Sequence, residues 1–151
     1  MLARYLSASG ITDQAVISLM EIDSSLWSIP AHTRTRSLGV AGLVSMMGAI
    51  LSLRRILRTE RPSVLVCWLY HAQFVAAVAA FLAGYKGKIV WNIRGCVHDH
   101  SGMVILSPGT RGLIRLSQLL GLRPDVVLSN SQRALDQHIA AGYVTEGKVI
   151  P

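Results

Sequence analysis

Two stretches decide how this chain folds: Leu65-Val66-Cys67-Trp68-Leu69-Tyr70-His71-Ala72 and Val90-Trp91-Asn92-Ile93-Arg94-Gly95. Each is an apolar run that stops abruptly in groups able to hydrogen-bond a ligand. A short, unbroken apolar run between turn signals reads as a strand buried in a parallel sheet. In open α/β sheets, ligands sit beyond the carboxyl ends of the strands. These two stops are therefore the first place to look for function.

Working outward, residues 64–69 and 88–93 are predicted strands, joined by an alanine-rich helix at 72–83 that Gly84 closes. Residues 95–107 read as a loop, 110–120 as a helix ended by Gly121, and 125–128 as a further strand. A helix at 131–141 follows, with a serine cap and Gly142 as its stop, and 148–150 begin a last strand. On the amino-terminal side, 2–8 read as the end of a helix stopped by Gly10, 15–20 as a buried strand, and 21–37 as a polar loop. Trp27-Ser28-Ile29-Pro30 is a candidate plug that packs on the sheet.

Residues 38–60 read as one long helix. Leu43, Met46, Ile50, Leu53 and Leu57 recur at steps of three and four, with Ser45, Gly48, Ser52, Arg55 and Thr59 on another face. Arg54, Arg55 and Arg58 lie where they complement the helix dipole, and Pro62 ends the run. The uncharged stretch 38–53 is 16 residues long, short of the roughly 20 needed to cross a bilayer, so a buried helix is the reading. Arg61-Pro62-Ser63-Val64-Leu65-Val66 is echoed by Arg123-Pro124-Asp125-Val126-Val127-Leu128. Alternating helices and short apolar strands predict an α/β fold: one Rossmann-like parallel sheet with helices on both faces and right-handed crossovers.

The chain of 151 residues is long enough for a real core, and 51 % hydrophobic content sets disorder aside. Its formal net charge of +7 points to nucleic acid, anionic lipid or phosphorylated ligands. Aromatic residues are sparse and no Lys/Arg block exists, so nucleic acid is the weakest of the three. Cys67 and Cys96 do not make a disulfide framework, and a reducing compartment fits. No secretory signal is visible, because residues 1–10 lack an apolar core.

The candidate site residues sit at the stops. His71 can bond a sugar hydroxyl or move a proton, or can simply be satisfied by nearby backbone. Arg94 suits a phosphate or carboxylate through its bidentate fork, flanked by Asn92 and by Gly95, which lets a ligand approach the backbone; a surface ion pair is the plainer alternative. In Ser129-Asn130-Ser131-Gln132, Ser131 is a cap, and Gln132 stands three after Ser129 in capping-box spacing; the helix start could also hold an anion. His98-Asp99-His100 has metal-ligand types, but neighbours in a loop rarely converge, so a solvated loop is preferred. Arg111 with Arg115, and Arg34 with Arg36, read as solvated faces that could meet acidic headgroups. No dinucleotide fingerprint, Walker loop, H-E-x-x-H or nucleophile elbow appears.

From Arg61-Pro62-Ser63-Val64 through Cys67-Trp68-Leu69-Tyr70-His71-Ala72, Val90-Trp91-Asn92-Ile93-Arg94, Leu128-Ser129-Asn130-Ser131, His138-Ile139-Ala140-Ala141-Gly142-Tyr143 and Lys148-Val149-Ile150-Pro151, the order resembles the amino-terminal domain of family 4 glycosyltransferases. That family has the GT-B fold, two Rossmann-like domains facing across a cleft. The resemblance implies a retaining transferase of cell-envelope polysaccharide biosynthesis that works without a metal or other cofactor. Its donor is a nucleotide sugar held by a second domain, and its acceptor is a glycan or lipid-linked sugar. Tyr70, His71, Asn92, Arg94, Gly95, Ser129, Asn130 and Ser131 would line the acceptor side. Many relatives carry a histidine just after the strand that ends at Ile93; here Arg94 and Gly95 stand there, and no catalytic residue is assigned.

Against that pattern, the first strand with its glycine-rich loop and the carboxy-terminal domain are missing. The expectation is a single domain incomplete at both ends, inactive alone, with an unpaired sheet edge. The basic charge would suit a cytoplasmic protein held peripherally at an anionic membrane. Two other readings stay open: a non-catalytic binding or scaffold module derived from that domain, and a small membrane protein built on 38–53 and 74–83.

Overall fold

A computed structural model describes residues 7–11, 13–21, 29–98, 101, 103 and 105–150, with the side chain of Leu43 left aside. Residues 2–6 of the predicted helix at 2–8, the plug residues Trp27 and Ser28, and Asp99 and His100 of the candidate metal loop lie outside the described residues; Ser7 and Ala8 are helical, as predicted. Where the sequence predicts one continuous domain, the chain divides into two compact units, Met1–Ser52 and Leu53–Pro151.

In the first unit, β1 (Ala15–Ser18) pairs in parallel with β2 (Arg34–Ser37), Ala15 opposite Arg34 and Ser18 opposite Ser37. The predicted loop at 21–37 thus ends in a strand. Arg-Thr-Arg-Ser has no apolar alternation to announce it; all four residues are exposed, and pairing with β1 holds them extended. The pairing continues past the strands, since the Leu38 and Val40 amides donate to the carbonyls of Ser18 and Leu19. This delays the next helix, α1 (Leu43–Glu60), by five residues against the predicted start at 38. Ser45 Oγ then accepts from the Ala41 and Gly42 amides at 2.8 Å each, quieting two donors at the helix entrance. Along α1, Ile50, Leu53 and Leu57 are buried as the periodicity predicts, and Arg61 (φ 45°) with Pro62 ends it. Among the described residues, no helix is long and apolar enough to cross a membrane.

The second unit is built on four parallel strands in the order β3 (Val64–Trp68), β4 (Lys88–Ile93), β5 (Val126–Ser129), β6 (Lys148–Val149). Between them run α2 (Tyr70–Ala83), α3 (Pro108–Leu119) and α4 (Gln132–Ala140). Local chemistry sets the punctuation. Gly84 closes α2 in the left-handed conformation, with its own and the Tyr85 amide bonded back to Phe81 and Ala80. Ser107 and Ser131 cap α3 and α4 by accepting from Thr110 N and Ala134 N. The echoed Arg-Pro segments feed both strands: the Ser63 carbonyl accepts from Lys88 N, and Asp125 N donates to the Ile89 carbonyl, each at 2.8 Å.

Alternate residues of the strands separate two faces. Cys67, Trp91, Ile93, Val127 and Ser129 are buried on one. Tyr143 stacks on Trp91 at 5.0 Å there, and Tyr70 of α2 and His138 of α4 close on Tyr143. α3 packs against α2, and Gln118 reaches the Ala141 carbonyl beyond α4. All three helices therefore cover one face. The crossovers from β3 to β6 step in one direction, so α2, α3 and α4 fall on the same side of the sheet.

Candidate functional site at the carboxyl ends of the strands

Parallel pairing sends every strand's carboxyl end to one border. Trp68 stands opposite Asn92, Ile93 opposite Ser129, and Ser129 opposite Val149. The three segments singled out in the sequence, 70–71, 92–95 and 129–131, therefore share one rim. A hollow of about 300 Å³ lined by Arg123, Asp125, Tyr143 and Lys148 lies at the other border, away from them.

The rim opens on an unusual backbone. Leu69, between β3 and α2, has φ 68° and ψ 153°, a region that glycine occupies almost alone. This twist turns the chain from strand to helix in a single residue, so that Tyr70 and His71 form the first turn of α2 rather than the end of a strand. Leu69 gives α2 no side-chain cap. The first amides of α2 thus meet no capping side chain, and the positive end of the helix faces the rim.

The eight candidate residues part into inward and outward sets. Tyr70 turns inward: its hydroxyl lies 2.7 Å from His138 Nε2, and its ring stacks on the imidazole at 5.6 Å. His138 Nδ1 lies 2.6 Å from the Ala134 carbonyl, which can only accept, so Nδ1 carries the hydrogen and Nε2 accepts from Tyr70. Burial pushes the Tyr70 phenol up to about 12 and the fully buried His138 imidazole below its ordinary value. Ser129 also turns inward, its Oγ donating to the Ser131 carbonyl at 2.9 Å. Ser131 is the cap, accepting from Ala134 N at 3.2 Å. The capping box between Ser129 and Gln132 does not form; Gln132 instead donates to Asp136 at 2.7 Å, one turn along α4.

His71, Arg94, Gly95 and Asn130 face outward and are exposed, and Asn92 is half-buried. A Cβ built on Gly95 would meet nothing within 4 Å, which leaves its backbone open to approach. The Arg94 guanidinium lies 5.1 Å above the Trp68 ring, a cation–π contact that steadies a cation at the rim. Trp68 is thus a rim residue that sequence reasoning left inside the strand; an aromatic in the last position of a buried run is the signal. Gln137 was missed as well. Its Oε1 accepts from the Val97 and His98 amides at 2.8 and 2.9 Å, tying the loop after β4 to α4. Among the described residues, no group of three His, Cys, Asp or Glu side chains could hold a metal ion.

The outward set combines a fixed guanidinium, an imidazole, an amide side chain and uncapped helix amides on an open surface. Such a surface can hydrogen-bond a ligand rich in hydroxyls or bearing an anion. No family model matches this chain, and no curated protein or solved structure matches it either.

Proposed function

We propose that this chain is the acceptor-binding half of a retaining glycosyltransferase, a partial GT-B amino-terminal domain. One observation supports the reading above the rest: His71, Asn92, Arg94, Gly95 and Asn130 meet at the carboxyl rim of a parallel sheet, where open α/β folds hold ligands. The acceptor is a glycan or a lipid-linked sugar. A nucleotide-sugar donor is held by a second domain outside these residues, and the chain alone does not turn over. In this reading Arg94 fixes an anionic or carboxylated part of the acceptor, and His71 and Asn130 bond its hydroxyls. Tyr70 and Ser129 act behind them by holding α2 and the turn into α4.

The exposed Arg111 and Arg115, one turn apart on α3, favour a peripheral seat at an anionic membrane. Anionic liposomes should retain the chain and salt should release it; equal retention by neutral liposomes removes the membrane part. The sugar reading is tested by an array of glycans and lipid-linked sugars probed with the labelled chain. One acceptor class should bind, and Arg94→Ala should weaken it about tenfold, the equivalent of ~1.4 kcal/mol. Unchanged binding by the variant removes the role given to Arg94.

A further inference from the structure

Two neighbouring residues of α4 hold two different parts of the rim. His138 accepts from the Tyr70 hydroxyl at 2.7 Å, and Tyr70 opens the turn that carries His71. Gln137, one position earlier, reaches the loop after β4. Its Oε1 accepts from the Val97 and His98 amides at 2.8 and 2.9 Å, and its Nε2 donates to the His98 carbonyl at 3.4 Å. The carboxamide thus satisfies the backbone of 97–98 as a neighbouring strand would. Successive residues of a helix point roughly 100° apart, so one turn of α4 can serve both segments.

The loop matters because the rim's cation hangs from it. Ile93 is the last residue of β4, and Arg94, Gly95 and Cys96 run from there to the clamped amides. A second tie, from Ile105 N to the Val97 carbonyl at 3.0 Å, holds the same point. The Arg94 guanidinium lies 5.1 Å over Trp68, and Trp68 pairs with Asn92 across the ladder. A cation–π contact at an exposed site is too weak to overcome an arginine's rotamer freedom unless the path of its backbone is also held. Gln137 differs here from Gln132 of the same helix, which pairs with its own helix at Asp136.

We propose that Gln137 is a positioning residue for the rim. It fixes the path of 94–98, so that Arg94 stays over Trp68 at a set distance from the Tyr70–His71 turn, which His138 holds from the same helix. Gln137 acts through the two amides it accepts from, and the cation they position does the binding. That this geometry serves an acceptor rests on the sugar-binding reading; the clamp itself does not.

The test is nuclear magnetic resonance of the full chain, native and with Gln137→Ala or Gln137→Glu. Gln137→Ala should speed amide exchange at Val97 and His98 by about tenfold or more. It should also move the Arg94 Nε–H resonance toward that of a free arginine. The β4 amides should keep their protection and report an intact sheet. Gln137→Glu keeps an oxygen acceptor for both amides and should restore both signals. Tyr70→Phe cuts the other prong and should shift the His71 amide while leaving Arg94 Nε–H in place. Glucuronate, a carboxylated sugar, is then titrated into each; Gln137→Ala should weaken it about tenfold, and Gln137→Glu should bring it back. Glucuronate that moves no resonance of the native chain counts against the acceptor reading, and the clamp is then judged on the Arg94 signal. An Arg94 Nε–H resonance unchanged by Gln137→Ala, or not restored by Gln137→Glu, overturns the proposal. Glucuronate binding that survives Gln137→Ala at full strength overturns it as well.

Discussion

On one face of the β3–β6 sheet, Cys67, Trp91, Ile93 and Val127 are buried beneath three helices. On the other, Val64, Trp68 and Val126 stand between 38 and 50 % exposed. Both sets come from alternate residues of the same strands and read as equally apolar. The finished face differs in what lies above it. Tyr143 stacks on Trp91 and donates to Gln73 Oε1 at 2.9 Å, and Tyr70 bonds His138. Burying Tyr143, Gln73, Tyr70 and His138 is tolerable there because each finds a partner, whereas the Trp91 indole N–H finds none. Apolar strand content thus specifies that a face will be covered; the polar groups of the covering helices specify what covers it.

The contrast is broken most sharply by truncation. Trp91→Ala should destabilise the chain by about 3–5 kcal/mol, since the indole is fully buried and fills the space under Tyr143. Val90→Ala, one residue away on the open face, should cost under about 1 kcal/mol, because solvent already reaches its neighbours. Urea denaturation measures both, and equal costs would mean that the second face is buried too.

The polar partners of the finished face make its stability depend on pH. Burial lowers the His138 pKa in the fold, so the unfolded chain binds the proton first as pH falls. The stabilisation is complete above the ordinary imidazole pKa of about 6.5. It is lost as pH drops from there toward the depressed folded value. Thermal melts of the native chain and of His138→Gln should diverge in slope across that window. Parallel slopes would show that His138 is not held neutral.

The smallest effect is expected where the two faces meet the rim. Leu69→Gly relieves a φ of 68° and should stabilise by about 1 kcal/mol, while loosening the first turn of α2 that carries His71. A variant that is less stable would contradict the strain.

Much of this was legible in sequence. The bounds of β4, the Gly84 and Gly142 stops and the Ser131 cap follow from local chemistry, and the Arg-Pro echo marks where two strands enter one ladder. What was hidden depends on distant partners. β2 is a charged strand that exists by pairing with β1. Tyr70 leaves the rim because His138, 68 residues away, accepts its hydrogen bond. A helix-spaced Ala134, Leu135 and His138 could have flagged that histidine as interior. Which face α2, α3 and α4 cover was not legible, since both sets of strand residues are largely apolar.

The shared rim is the claim on which the functional reading stands. Amide shift mapping with the strongest glycan from the array tests it most directly. The account predicts shifts at His71, Arg94, Gly95 and Asn130, with Arg123, Asp125 and Lys148 at the opposite border unmoved. Shifts confined to that opposite border, or no glycan bound at all, would contradict it.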